Sequence, residues 1–176
     1  MGMGWFGKKE GAPAAVTGSG KNLSIAALLS PELILRAEPG ATKESFIESL
    51  IVHLCEARGL GDPSVFLNRV LEREQGISTT LDTGLAVPHA RMDGIDSIAA
   101  ALGLVPEGIV DPKQPDFTIR AMFVFFSPNK QEHFTLHLQL LRSVSSLFQA
   151  DLLDAALKTP DGDSVLRLIR EKESSA

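Results

Sequence analysis

The runs IAAALGLV (Ile98–Val105) and AMFVFF (Ala121–Phe126) decide the fold class. Each is a short, unbroken apolar stretch, entered and left through polar residues or proline. A strand that shows one face to water alternates apolar and polar side chains, whereas a strand covered on both faces does not. Both runs therefore read as strands of a sheet with layers packed on either side. A third run, LAV (Leu85–Val87), lies between Gly84 and Pro88 and reads the same way.

Outward from these strands the period becomes helical. Thr42 is placed to cap a helix whose Ile47, Leu50, Ile51 and Leu54 recur at i, i+3, i+4 and i+7, with Gly59 to end it. Asp62 and Pro63 open a second helix, PSVFLNRVLEREQ, with Leu67, Val70 and Leu71 inward and Gly76 as its stop. The period returns between Glu132 and Phe148 on Leu136, Leu140, Leu141, Val144 and Leu147. Two further helices, near 151–158 and 163–172, take Asp151 and Asp163 as caps. Upstream, Ser30 followed by Pro31 reads as one more helix start. Helices, then strands, then helices describe an α/β domain, a small mixed β-sheet sandwiched between α-helices in a single domain.

At 176 residues the chain suffices for one well-buried domain. Residues 1–21, rich in Gly, Ala, Lys and Ser, read as a flexible leader, leaving 22–176 as the domain. The net charge is -5 with no basic block, so the electrostatic footprint of nucleic-acid binding is missing. Cys55 is the one cysteine and has no partner for an internal disulfide; within an apolar helical pattern it reads as a buried thiol of a reducing, cytoplasmic setting. No apolar run reaches the roughly 18 residues that membrane insertion needs.

Four histidines are available for chemistry. His89 follows Pro88 in TGLAVPHARMDG (Thr83–Gly94), where proline should end the strand and leave the imidazole at its carboxyl end, a favoured edge for ligand sites. A loop residue, a metal ligand and a nucleophile all fit that position. His133 and His137 lie four apart on one helical face, spacing that can suit zinc, yet Phe134 stands where the metalloprotease motif requires Glu. Arg73 closes the second helix, where an arginine commonly satisfies terminal carbonyls. His53 sits on an amphipathic helix and reads as a partly buried or surface residue.

Taken together these residues form a pattern. In order come LERE (Leu71–Glu74), LAVPHA (Leu85–Ala90), an apolar strand closing with FFSP (Phe125–Pro128), and HLQLL (His137–Leu141) on a helix. The chain from about residue 22 to 172 resembles the type 2 enzyme IIA domain of the bacterial phosphoenolpyruvate-dependent sugar phosphotransferase system, the fructose/mannitol and nitrogen-regulatory class. One departure is Asp82, which stands where family members usually carry a small residue, often Gly; the expected effect is either an altered loop before the active strand or added negative charge near a site meant to carry phosphate.

The resemblance implies that His89 is phosphorylated, with His137 and Arg73 assisting, and that His133 is a helix-surface residue. It implies the phosphorylated histidine carrier protein as donor and either an enzyme IIB or a regulatory target protein as acceptor, with no metal or organic cofactor. The chemistry suits these residues. Phosphoryl transfer asks for in-line positioning and charge compensation more than for covalent work. An imidazole attacks when neutral, and Arg73 supplies a guanidinium that never deprotonates. A relay histidine must be reached by two proteins in turn, so an open ring is expected, in a shallow depression with an apolar rim.

Overall fold

The computed structural model describes residues 23–175; the expected leader lies outside the described residues. Among them are five α-helices and one five-stranded sheet. The strands are β1 (Ile34–Arg36), β2 (Leu85–Ala86), β3 (His89–Met92), β4 (Ala99–Asp111) and β5 (Gln114–Pro128). β4 and β5 form an antiparallel hairpin at the centre, β1 lies parallel to β4, and β2 and β3 lie parallel to β5 on its other side.

The two apolar runs do lie between two layers. Ala100, Leu102 and Leu104 of β4, with Ala121, Phe123 and Phe125 of β5, belong to one core cluster. The intervening Ala99, Ala101, Met122, Val124 and Phe126 belong to another. Alternation thus sends apolar side chains both ways, and each face needs its own helices. The first face takes α3 (Phe134–Leu147), α4 (Ala150–Leu157) and α5 (Gly162–Ser174); the second takes α1 (Lys43–Arg58) and α2 (Pro63–Glu74). Gly103 lets α1 lie close against β4, since a Cβ there would sit 2.5 Å from the Phe46 ring.

Capping chemistry sets the helix starts. The Thr42 side chain accepts from Ser45 N while the Ser45 hydroxyl accepts from Thr42 N, and Gly59 ends α1 at φ 62°. Asp62 caps α2 through Ser64 N. Cys55 is buried in α1, and burial first, then the Asp62 carboxylate, pushes its thiol up to about 11.

Several local expectations are corrected. Pro31 begins only a 3-10 turn, Pro31–Leu33, which runs directly into β1. α4 is capped at Gln149, leaving Asp151 within its first turn to pair with Lys172 at 2.5 Å. α5 is capped by Asp161, whose side chain accepts from Ser164 N; Asp163 lies inside the helix. In α2 the buried residues include Phe66 and Val70, with Leu67 and Leu71 only half-buried. Pro88 does not end its strand. β2 and β3 pair with β5 in one register on either side of it, Leu85 opposite Ala121 and His89 opposite Phe125. The proline forfeits one ladder N–H on an edge strand, where that loss is tolerated, and its carbonyl still accepts from Phe125 N at 3.2 Å.

Candidate functional site

His89 is therefore the first residue of β3, directed by strand alternation to the same face as Val87 and Phe125, toward α3. Its ring stacks on Phe125 with centroids 5.2 Å apart and planes 10° from parallel. Nδ1 lies 2.6 Å from the Val87 carbonyl oxygen. A carbonyl only accepts, so Nδ1 carries the proton and the lone pair sits on Nε2. That nitrogen has no protein partner among the described residues and is not one of the buried polar atoms left unsatisfied, so it is the edge left to solvent.

The open ring expected for a relay histidine is not what the fold provides. His89 is only 6% exposed, because Val87, Phe125 and His137 take up its faces and its Nδ1 edge. Burial holds its pKa below the ordinary histidine range. The Val87 hydrogen bond and Glu74 oppose that shift, and the Arg73 charge adds to it. The neutral, attacking form is thereby favoured.

His137 approaches from α3, its ring centroid 5.3 Å from that of His89 and tilted by 51°. Its Nδ1 lies 2.5 Å from the Ser127 hydroxyl, which is fully buried at the end of β5. Were that hydroxyl to accept, its own proton would be stranded in the interior, so it donates to Nδ1 and leaves a proton on His137 Nε2. His137 is pushed down to about 4, chiefly by burial, then by the charges of His89, Arg91 and Arg73. It stays neutral at pH 7 and offers an N–H rather than a charge.

Arg73 comes from the opposite helical layer, at the exposed end of α2, and its charge reaches both imidazoles. Among the described residues it has no carboxylate partner. Of the site residues expected from sequence, the structure sets His89 beside His137, and Arg73 joins them only through the reach of its charge. His133 is half-buried and precedes α3, and His53 is exposed on α1, bonded to Ser49 O at 2.8 Å. Asp82 is exposed on the turn before β2; the residue that needs glycine is Gly84, at φ 96° with the Arg120 stem 2.9 Å from where a Cβ would lie.

Sequence reasoning missed Ser127, Phe125 and Arg91. Arg91 lies two residues beyond His89 on the same strand face. Its Nη2 donates to Lys130 O at 2.6 Å and its guanidinium stands 5.2 Å over the Phe134 ring. An i, i+2 pairing with His89 would have found it had residues 89–92 been read as strand.

Glu74, next to Arg73 in the chain, belongs to a buried ionic cluster. Lys43 Nζ is 3.0 Å from Glu74 Oε2 and 3.1 Å from Asp111 Oδ2. Ser78 and Thr80 hydroxyls donate to Asp111 at 2.6 and 2.5 Å, and Thr79 Oγ1 donates to Glu74 at 2.6 Å. Burial would raise the Asp111 carboxyl, but these hydroxyls, the Lys113 N–H and Lys43 outweigh it and hold the group far below the usual carboxylate range.

Two imidazoles of opposite tautomer thus stand side by side on an α/β/α scaffold, within reach of the Arg73 charge. Residues 27–172 match the family described as "Phosphoenolpyruvate-dependent sugar phosphotransferase system, EIIA 2", and the chain belongs to that family, a phosphotransferase component that relays a phosphoryl group through phosphohistidine. It is 30% identical over 148 residues to the PTS system fructose-specific EIIA component of Haloferax volcanii, covering 84% of this chain and 95% of that one. The crystal structure of nitrogen regulatory protein IIA-Ntr from Neisseria meningitidis superposes with a TM-score of 0.73 at 20% identity, over 82% of this chain and 98% of the other. An NMR structure described as the complex of enzyme IIA-Mtl and phosphorylated enzyme IIB-Mtl from Escherichia coli superposes at 0.65 and 22%, over 81% and 97%. The two structures share the fold. No helix among the described residues is long and apolar enough to cross a membrane.

Proposed function

We propose that His89 Nε2 accepts a phosphoryl group from the phosphorylated histidine carrier protein and passes it to an enzyme IIB. In the first step the Nε2 lone pair attacks phosphorus as the bond from phosphorus to the donor's imidazole nitrogen breaks. The electron pair returns to the donor ring, which leaves as neutral imidazole. The His89 ring keeps its Nδ1 proton on the Val87 carbonyl and takes up the positive charge, which makes it a good leaving group for the second step. Arg73 balances charge on the equatorial oxygens, and the His137 Nε2–H donates to one of them. Such donors are each worth about 2.7–4 kcal/mol when aimed at developing charge.

The observation that carries this reading is the Nδ1–Val87 hydrogen bond, which leaves Nε2 as the nucleophilic edge beside His137. Phe134 and Leu138, each about half-exposed on α3, supply an apolar rim for a partner (47% and 48%). The test is intact-mass measurement after incubation with phosphoenolpyruvate and the general phosphotransferase proteins. One acid-labile phosphoryl adduct is expected on the wild type and none on His89→Ala. An adduct retained in that variant removes the assignment.

The likeness to IIA-Ntr favours a second reading, in which the phosphorylation state of His89 sets affinity for a regulatory target and no sugar moves. Pull-down with phosphorylated and unphosphorylated protein separates the two: an enzyme IIB partner supports transport, and an ion transporter, kinase or transcription factor supports signalling.

A further inference from the structure

We propose that the buried cluster of Lys43, Glu74 and Asp111 is a positioning network that sets Arg73 in register with His89; this rests on the phosphoryl-relay reading above. Three strands of observation meet in it. Glu74 follows Arg73 directly, and both its ends are held. Its carboxylate takes Lys43 and Thr79, while its main-chain carbonyl accepts from the Lys113 ammonium. The last turn of α2 is thus anchored to α1 and to the β4–β5 hairpin rather than left to fray.

The same cluster holds the segment leading to His89. Ser78 and Thr80 are bound to Asp111, and Thr80 bridges to Ala86. The Thr79 carbonyl accepts from Val87 N at 3.3 Å, and the Val87 carbonyl in turn accepts from His89 Nδ1. A continuous series of hydrogen bonds therefore runs from Lys43 through Glu74, Thr79 and Val87 to the reacting ring. Glu74, at its second link, adjoins Arg73.

The cost of the arrangement argues for a purpose. Three ionised side chains are withdrawn from water: Lys43 is 8%, Glu74 6% and Asp111 0% exposed. Replacing such a cluster with apolar residues is often neutral or stabilising, so stability alone does not call for it. What charged, directional contacts supply is a single geometry between two elements from different parts of the chain. Arg73 needs that, because it reaches the site from the helical layer opposite to His137.

The test is the kinetics of phosphoryl transfer in two variants. Lys43→Met/Glu74→Gln/Asp111→Asn removes all three charges together and strands none. Thr79→Val keeps the charges and breaks only the link from Glu74 to the His89 strand. Folding is checked by circular dichroism and thermal melting. Each variant is expected to lower kcat at least about fivefold with KM for the donor within twofold. In an Arg73→Ala background the same changes should alter kcat by less than twofold, since there is no guanidinium left to align. Wild-type kcat in the folded variants, or equal slowing with and without Arg73, overturns the proposal. Should the triple variant not fold, Thr79→Val decides alone. Wild-type protein that takes up no phosphoryl group at all would instead sink the relay reading, so the two failures are distinct.

Discussion

His89 and His137 face one another at 5.3 Å between ring centroids, and each is tied through Nδ1, the first to the Val87 carbonyl, the second to the Ser127 hydroxyl. The two ties give the rings opposite tautomers. His89 presents a lone pair at Nε2 and His137 presents a proton there. An open lone pair and a neutral donor are thus placed side by side.

Ser127→Ala tests that arrangement. It leaves His137 Nδ1 without its donor, which costs about 1–3 kcal/mol for a buried unsatisfied group and lets the ring take the other tautomer. Transfer is expected to slow about tenfold, and the nitrogen shifts of His137 in an NMR spectrum should show the proton moving to Nδ1. Unchanged shifts with an unchanged rate would show that Ser127 does not set the tautomer.

Arg73→Ala removes an exposed side chain with no carboxylate partner among the described residues. Stability should change by no more than about 0.5 kcal/mol. Phosphoryl transfer should fall roughly 10²-fold, the loss typical of one charge-stabilising donor. Stopped transfer assays with a parallel melting curve check both, and wild-type rates would take Arg73 out of the site.

The pH dependence of stability follows from His137. Its pKa is lowered in the fold from 6.5 to about 4, so between those values the unfolded chain binds the proton and the native one does not. Stability from this group is complete above pH 6.5 and is lost as pH falls toward 4. Burial lowers His89 too and acts in the same direction below 6.5. Beneath pH 3.8 the depressed Asp111 adds a second decline. Urea midpoints measured from pH 7.5 to 3.5 should fall across the first window, and His137→Gln should flatten that fall. A flat wild-type profile there contradicts the burial of the ring.

Gly103→Ala places a methyl 2.5 Å from the Phe46 ring and 2.9 Å from Leu50 Cδ1, at a buried position of β4. Overpacking of this kind costs about 1–3 kcal/mol. The melting temperature should drop, and Phe46→Leu in the same chain should recover part of the loss.

Much of the fold was legible because it depends on local pattern. Unbroken apolar runs require cover on both faces, and the split of β4 and β5 side chains between two clusters is that requirement met. Thr42, Gly59 and Asp62 act through neighbours a few residues away, so their roles could be read directly. Asp163 misled because Asp161, two residues earlier, takes the cap by accepting from Ser164 N, and Asp151 because α4 opens at Gln149 without a side-chain cap bond. His89, His137 and Arg73 stand out through their spacing with the residues around them, but spacing says nothing of burial or tautomer.

Sequence alone determined the layered α/β class and most helix boundaries, and the family resemblance singled out His89, His137 and Arg73. Tertiary structure alone decided that Pro88 interrupts β2 and β3 without ending the strand, that Phe125 and Ser127 hold the two rings, and that Lys43 joins Glu74 to Asp111. Those contacts join residues 31 to 68 positions apart in the Lys43 cluster. Hydrogen-bond direction and desolvation exist only once such distant groups are brought within about 3 Å of one another, which no local period encodes.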